Sequence, residues 1–111
     1  DGKRLLEKDP IQSSEKFYEV VVESIKLLAN LYGLDDILEE ANKCGGWNVS
    51  LLENVVKRLK DKVKGLKEAW DAANYLHVWG FHEGKLNRES IEMRIPVIED
   101  FLKNLEDIIK G

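Results

Sequence analysis

Cysteine occurs once, at Cys44, so no disulfide can close within the 111-residue chain. A reducing, cytoplasmic setting is therefore the expectation. Long apolar runs are missing too. None approaches the roughly 20 residues that a membrane-crossing helix needs, and no membrane partner is expected. The chain carries 17 Lys and Arg against 21 Asp and Glu, for a net charge of −4 and a pI near 5.2. That shortage of cations argues against a general nucleic-acid binder, which needs clustered positive charge to neutralise phosphates. Alternating strand patterns, Asn-Gly hairpin pairs, a glycine-rich phosphate loop and a nucleophile elbow are all lacking. The helix that would follow a turn at Gly33 carries Asp35, Asp36, Glu39 and Glu40, a poor reader of DNA. Thr is absent and Gln12 is the sole glutamine, while Lys and Glu dominate the charges. That bias resembles proteins of hot environments, although asparagines such as Asn30 and Asn42 run against it.

What remains is rich in helix signals. Hydrophobic residues make up 43% of the chain and charged residues 34%. The pattern predicts an all-α, single-domain antiparallel bundle of about five helices over 1–111. Asp9-Pro10-Ile11-Gln12 reads as a helix start, with Gly33 as the stop. This first helix has one polar strip, Lys16, Glu19, Glu23, Lys26 and Asn30. Its remaining positions are largely apolar on two sides, so it is expected to be central or covered by a second chain. Asp36 with Glu39, and Ser50 with Glu53, have capping-box spacing and predict the second and third helices. Glu53 and Lys57 are spaced to stabilise the third, whose core stripe is Leu52, Val55, Val56, Leu59 and Val63. A fourth helix is expected from about Leu66 to Glu83. A fifth, capped by Asn87, has the stripe Ile91, Ile95, Ile98, Leu102, Leu105 and Ile109, with Pro96 predicting a kink near Glu92. Lys3 to Lys8 reads as the last turns of an earlier helix.

Chemistry-bearing side chains concentrate between Trp70 and Glu83, where both histidines lie. On an α-helix Tyr75, Trp79 and His82 share one face, able to stack a base or grip a partner helix. His77 and His82 stand roughly 140° apart around such a helix and do not form a metal pair. No metal or cofactor is therefore expected. Packing explains His77 on the apolar side without a catalytic role, and interface contacts explain the aromatic face. Glu83 sits poorly against the helix dipole. The run of Lys57, Lys60, Lys62, Lys64 and Lys67 reads as a solvated face, with nucleic-acid contact as the lesser alternative. Cys44, beside two glycines, reads as structural.

Two stretches carry a resemblance. Ser13-Ser14-Glu15-Lys16-Phe17-Tyr18, followed by Ile25 to Ala29, is one. The other runs from Trp70 to Glu83 and includes Leu76-His77-Val78-Trp79-Gly80-Phe81-His82-Glu83. Together they resemble the archaeal PaREP family, type one, over about Asp9 to Phe101. That family resembles the HEPN superfamily of helical domains. The resemblance implies a bundle with a hairpin start, often dimeric, whose relatives include defence ribonucleases and non-catalytic partners of nucleotidyltransferases. The candidate binding residues are Tyr75, His77, Trp79, His82 and Glu83 of the fourth helix, with Glu15, Lys16 and Tyr18 of the first. The ribonuclease motif, Arg-x4-6-His, is not present. Trp70, Asp71 and Ala72 precede His77, and Tyr75, Leu76 and His77 precede His82. No catalytic residue is assigned. The expected function is a non-catalytic, homodimeric interaction module, with RNA binding or cleavage as the alternative.

Overall fold

The computed structural model describes residues 10–82 and 88–111, with the side chains of 12–79 and 88–111. Every regular element among them is helical. Helix α1 (Pro10–Leu31) begins on its proline, whose missing N–H is no loss in a first turn. Gly33, at φ +63°, then reverses the chain. Helix α1 touches every other helix, and Val21, Ile25, Leu28 and Ala29 on its inner side are fully buried. The expectation of a central helix therefore holds. Its outer side is not covered, however: Val20, Leu27 and Leu31 are exposed.

Helix α2 (Asp35–Lys43) follows without the expected capping box. Leu34 occupies the cap position and makes no side-chain cap bond. The Asp36 carboxylate instead accepts a 2.8 Å hydrogen bond from Arg58 Nη1. Cys44 ends the helix and is exposed, so it has no packing role. Its thiol pKa is raised, first by the hydrogen bond to Glu40, which disfavours the thiolate.

Helix α3 (Val49–Leu59) is capped two residues earlier than Ser50 predicts. Asn48 Oδ1 accepts from the Leu51 N–H at 2.9 Å. Glu53 is thereby released from capping. The predicted stripe of Leu52, Val55, Val56, Leu59 and Val63 is buried throughout. Gly65, at φ +83°, opens helix α4 (Leu66–Tyr75). A Cβ there would meet the Phe101 Cα at an ordinary contact distance of 3.5 Å, so it is the left-handed turn that calls for glycine.

The fourth helix does not stay α-helical to its end. From Leu76 to His82 it winds as a π-helix. A 3.6-residue period does not describe this turn, yet the predicted shared face of Tyr75 and Trp79 persists, with ring centroids 6.5 Å apart. The predicted separation of His77 and His82 involves a side chain outside the described ones. The fifth helix is likewise not one kinked rod. It divides into α5 (Arg88–Glu92) and α6 (Ile95–Lys110), with Met93 and Arg94 between them. Pro96 lies in the first turn of α6, where proline removes no hydrogen bond. The predicted stripe survives the break: Ile91, Ile95, Ile98 and Leu105 are buried and Leu102 packs against the core, with Ile109 alone exposed and Phe101 buried beside them. The core joins Leu28, Leu59, Leu66, Leu76, Ile91, Ile98 and Phe101, contributed by nearly every helix. The predicted turns at Lys3–Lys8 and the cap at Asn87 lie outside the described residues.

Candidate functional site

Helix α1 packs along the π-helical turn more extensively than along any other element. That packing brings the two stretches singled out in the sequence face to face. The His77 Nδ1 and a Glu15 carboxylate oxygen are 2.9 Å apart, across 62 positions of chain. The Tyr18 ring stacks on the imidazole, with centroids 3.8 Å apart and planes 12° from parallel. Tyr18 also meets Trp70 at 6.2 Å in a tilted arrangement. The Trp70 indole N–H donates to Glu53 Oε2 at 3.1 Å. Glu53, Trp70, Tyr18, His77 and Glu15 thus form a continuous polar-aromatic seam from α3 through α4 and α1 to the π turn.

Local sequence explains the seam. Ser13 and Ser14 are small and fully buried, which lets the start of α1 lie close to its neighbours. Glu15 and Tyr18 are three apart and so share a helix face, and Phe17 beside them is buried in the core. His77 and Glu15 each keep about a fifth of their side-chain surface exposed, at 21%. The Tyr18 phenol is pushed above its ordinary value, first by burial and then by the Glu15 carboxylate. Both effects penalise the phenolate.

The candidate residues do not all converge. Lys16 points away from the seam and lies 3.8 Å from Glu19 on the exposed side of α1. Tyr75 and Trp79 lie on another exposed surface, with ring centroids 6.5 Å apart. Arg94 places its guanidinium 3.8 Å from the Tyr75 ring centroid while Nη1 donates to the Ser90 carbonyl at 2.8 Å. Val78 and Met93 are exposed as well. His82 belongs to the π turn by its backbone, and its side chain lies outside the description. Glu83 is outside the described residues. Among the described residues, no group of three or more His, Cys, Asp and Glu side chains is placed to hold a metal ion. No described helix is long and apolar enough to cross a membrane.

Sequence reasoning missed Glu53 and Arg94. Spacing assigns Glu53 to a cap and to Lys57, whereas the indole that claims it is 17 positions away. A kinked but continuous helix gives no reason to set Arg94 over Tyr75. The break after Glu92 is what sets it over Tyr75.

An all-helical protein built around one long central helix is the class that this fold defines. The chain belongs to the archaeal PaREP1/PaREP8 family, whose model matches residues 1–102. No curated protein and no solved structure gives a significant match.

Proposed function

We propose that this chain is a non-catalytic, HEPN-like helical interaction module of the cytoplasm that pairs with a second copy of itself. The carrying observation is the row of exposed apolar side chains on the central helix. Val20 is 43% exposed, Leu27 40% and Leu31 51%, in positions that share one side of α1. Val20 and Leu27 border a shallow depression of about 480 Å³ that also includes Lys16, Glu19, Glu23 and Ser24. Ser24 turns its hydroxyl back to the Val20 carbonyl at 2.8 Å, so the middle of the row is small and satisfied.

Two such helices laid antiparallel would place Val20 against Leu27 of the other copy. On the flank, Lys26 would meet Glu19 and Glu23 across the two-fold axis. An isologous contact of this kind needs a self-complementary surface, and this charge order supplies one. The Tyr75, Val78 and Trp79 surface, with Arg94 on Tyr75, is offered to a different protein. Aromatic and arginine side chains are the residues that most often dominate binding energy. The family resemblance suggests a nucleotidyltransferase for that place.

Light scattering at tens of micromolar protein tests the dimer. The expected mass is twice 12.8 kDa, and Leu27→Glu is expected to halve it while leaving the helical circular dichroism unchanged. A monomeric parent protein would overturn the reading. The assembly of Glu15, Tyr18 and His77 favours a second reading, an RNA ligand at this seam. A labelled-RNA assay at low salt and near ~0.2 M salt addresses it, since phosphate contacts weaken steeply over that range. RNA cleavage that is lost in both His77→Ala and His82→Ala would replace the module with an enzyme.

A further inference from the structure

The groove between α3 and α4 is unlike the rest of this acidic protein. It encloses about 350 Å³, within the range of small-molecule sites. Val56 and Trp70 give it an apolar wall, and Lys57, Lys60 and Lys67 reach it from two helices. Of the five lysines in the run from Lys57 to Lys67, these three share the concavity, whereas Lys64 lines a different depression beside Asn104.

The neighbouring charges are already committed. Lys67 Nζ lies 2.9 Å from Asp71 Oδ2. Arg58, the other cation at this end of α3, is turned to Asp36. Glu53 has the right spacing to pair with Lys57, but its carboxylate accepts the Trp70 indole N–H instead. Among the described residues, Lys57 and Lys60 consequently make no ion pair and no side-chain hydrogen bond. Two ammonium groups, three residues apart, stand at the mouth of an apolar-walled groove, and neither is directly paired with a carboxylate.

We infer that this groove binds a small phosphorylated molecule with an uncharged, apolar body. Lys57 and Lys60 take the phosphate, and the body lies against Val56 and Trp70. A phosphate suits the pair because each ammonium is a compact charge with several donors, and a dianion satisfies both at once. Glu53 and Asp71 lie in the same groove. They repel a second anionic group, so the site selects one charged end and rejects an extended polyanion such as an RNA strand.

The experiment is a titration of the full chain, followed by amide and indole N–H chemical shifts. Phenyl phosphate is the main probe. Inorganic phosphate, phenol and a short single-stranded RNA are the comparisons. Saturable binding of phenyl phosphate is expected, tighter than either inorganic phosphate or phenol, with the Trp70 indole N–H among the signals that move. Trp70→Phe assigns that signal. Lys57→Ala combined with Lys60→Ala should weaken binding by roughly tenfold or more, the scale of charge-assisted hydrogen bonds. The paired Lys57→Arg and Lys60→Arg exchange should retain most of it. Both lysines are exposed, so the thermal transition should not move in the lysine variants. Absence of saturable binding at millimolar phenyl phosphate would overturn the inference. So would binding that is indifferent to the double alanine change, or tighter binding of the RNA than of phenyl phosphate.

Discussion

Helix α4 begins and ends in opposite surroundings. Near its first turn, Lys67 shares a groove with two α3 lysines that no carboxylate pairs. Where it passes into the π turn, His77 is held by Glu15 and covered by Tyr18. The side chains with the richer chemistry are thus the ones that the fold has bound to each other. The plain lysines are left over. Satisfaction inside a fold and availability to a ligand compete for the same donors and acceptors, and at the two ends of this helix the competition has gone different ways.

The sharpest way to break the contrast is to remove the residue common to both ends. Trp70 is nearly buried, touches Tyr18 on one side and lines the lysine groove on the other. Trp70→Ala should cost about 3–5 kcal/mol in urea unfolding, the usual range for a buried aromatic. A cost under about 1 kcal/mol would mean that the seam does not tie the helices together.

The histidine end comes next. Glu15→Ala and His77→Ala should each destabilise by about 1–2 kcal/mol, because each removes the 2.9 Å contact between two partly buried side chains. The double variant should cost less than the sum. Strict additivity would show that the contact carries no coupling.

The third effect is one of pH. Burial and the Glu15 carboxylate raise the Tyr18 pKa. The folded state therefore holds this proton more tightly than the unfolded chain does. The stabilisation is complete below the unfolded tyrosine value of ~10 and is lost as pH rises through the higher folded value. Tyr18→Phe should flatten the alkaline limb of a plot of melting temperature against pH. The smallest effect lies on the acid side. Arg58 lowers the Asp36 pKa by its hydrogen bond, so that contribution is present above the unfolded value of ~3.9 and fades as pH falls through the lower folded one. Arg58→Ala should remove this dependence with little change at neutral pH, as expected of an exposed pair.

Much of this architecture was legible in the sequence. The central helix, the α3 stripe and the stop at Gly33 follow from period and backbone freedom, which are local properties. The caps were read less well. Asn48 and Ser50 both suit an N-cap, and spacing does not decide between them. Asp36 and Glu53 left their predicted local roles for partners on other helices, Arg58 and Trp70. Glu15, Tyr18 and His77 were named as candidates, but their meeting depends on how α1 crosses the π turn. Lys16 and Trp79 were named with them and lie elsewhere. The open state of Lys57 was not legible, because it results from what Glu53 does instead.

The seven residues from Leu76 to His82 give one last consequence. A wider winding acts as a change of pitch in a threaded rod, and each residue along it is turned out of step with the α-helix that precedes it. His77 stands at that change of pitch. Deleting a single residue within the π turn would let the thread run true, yet it would rotate every residue past the deletion by about 100° relative to α1. The regular helix would be the easier one to form, and it would be the one that no longer fits.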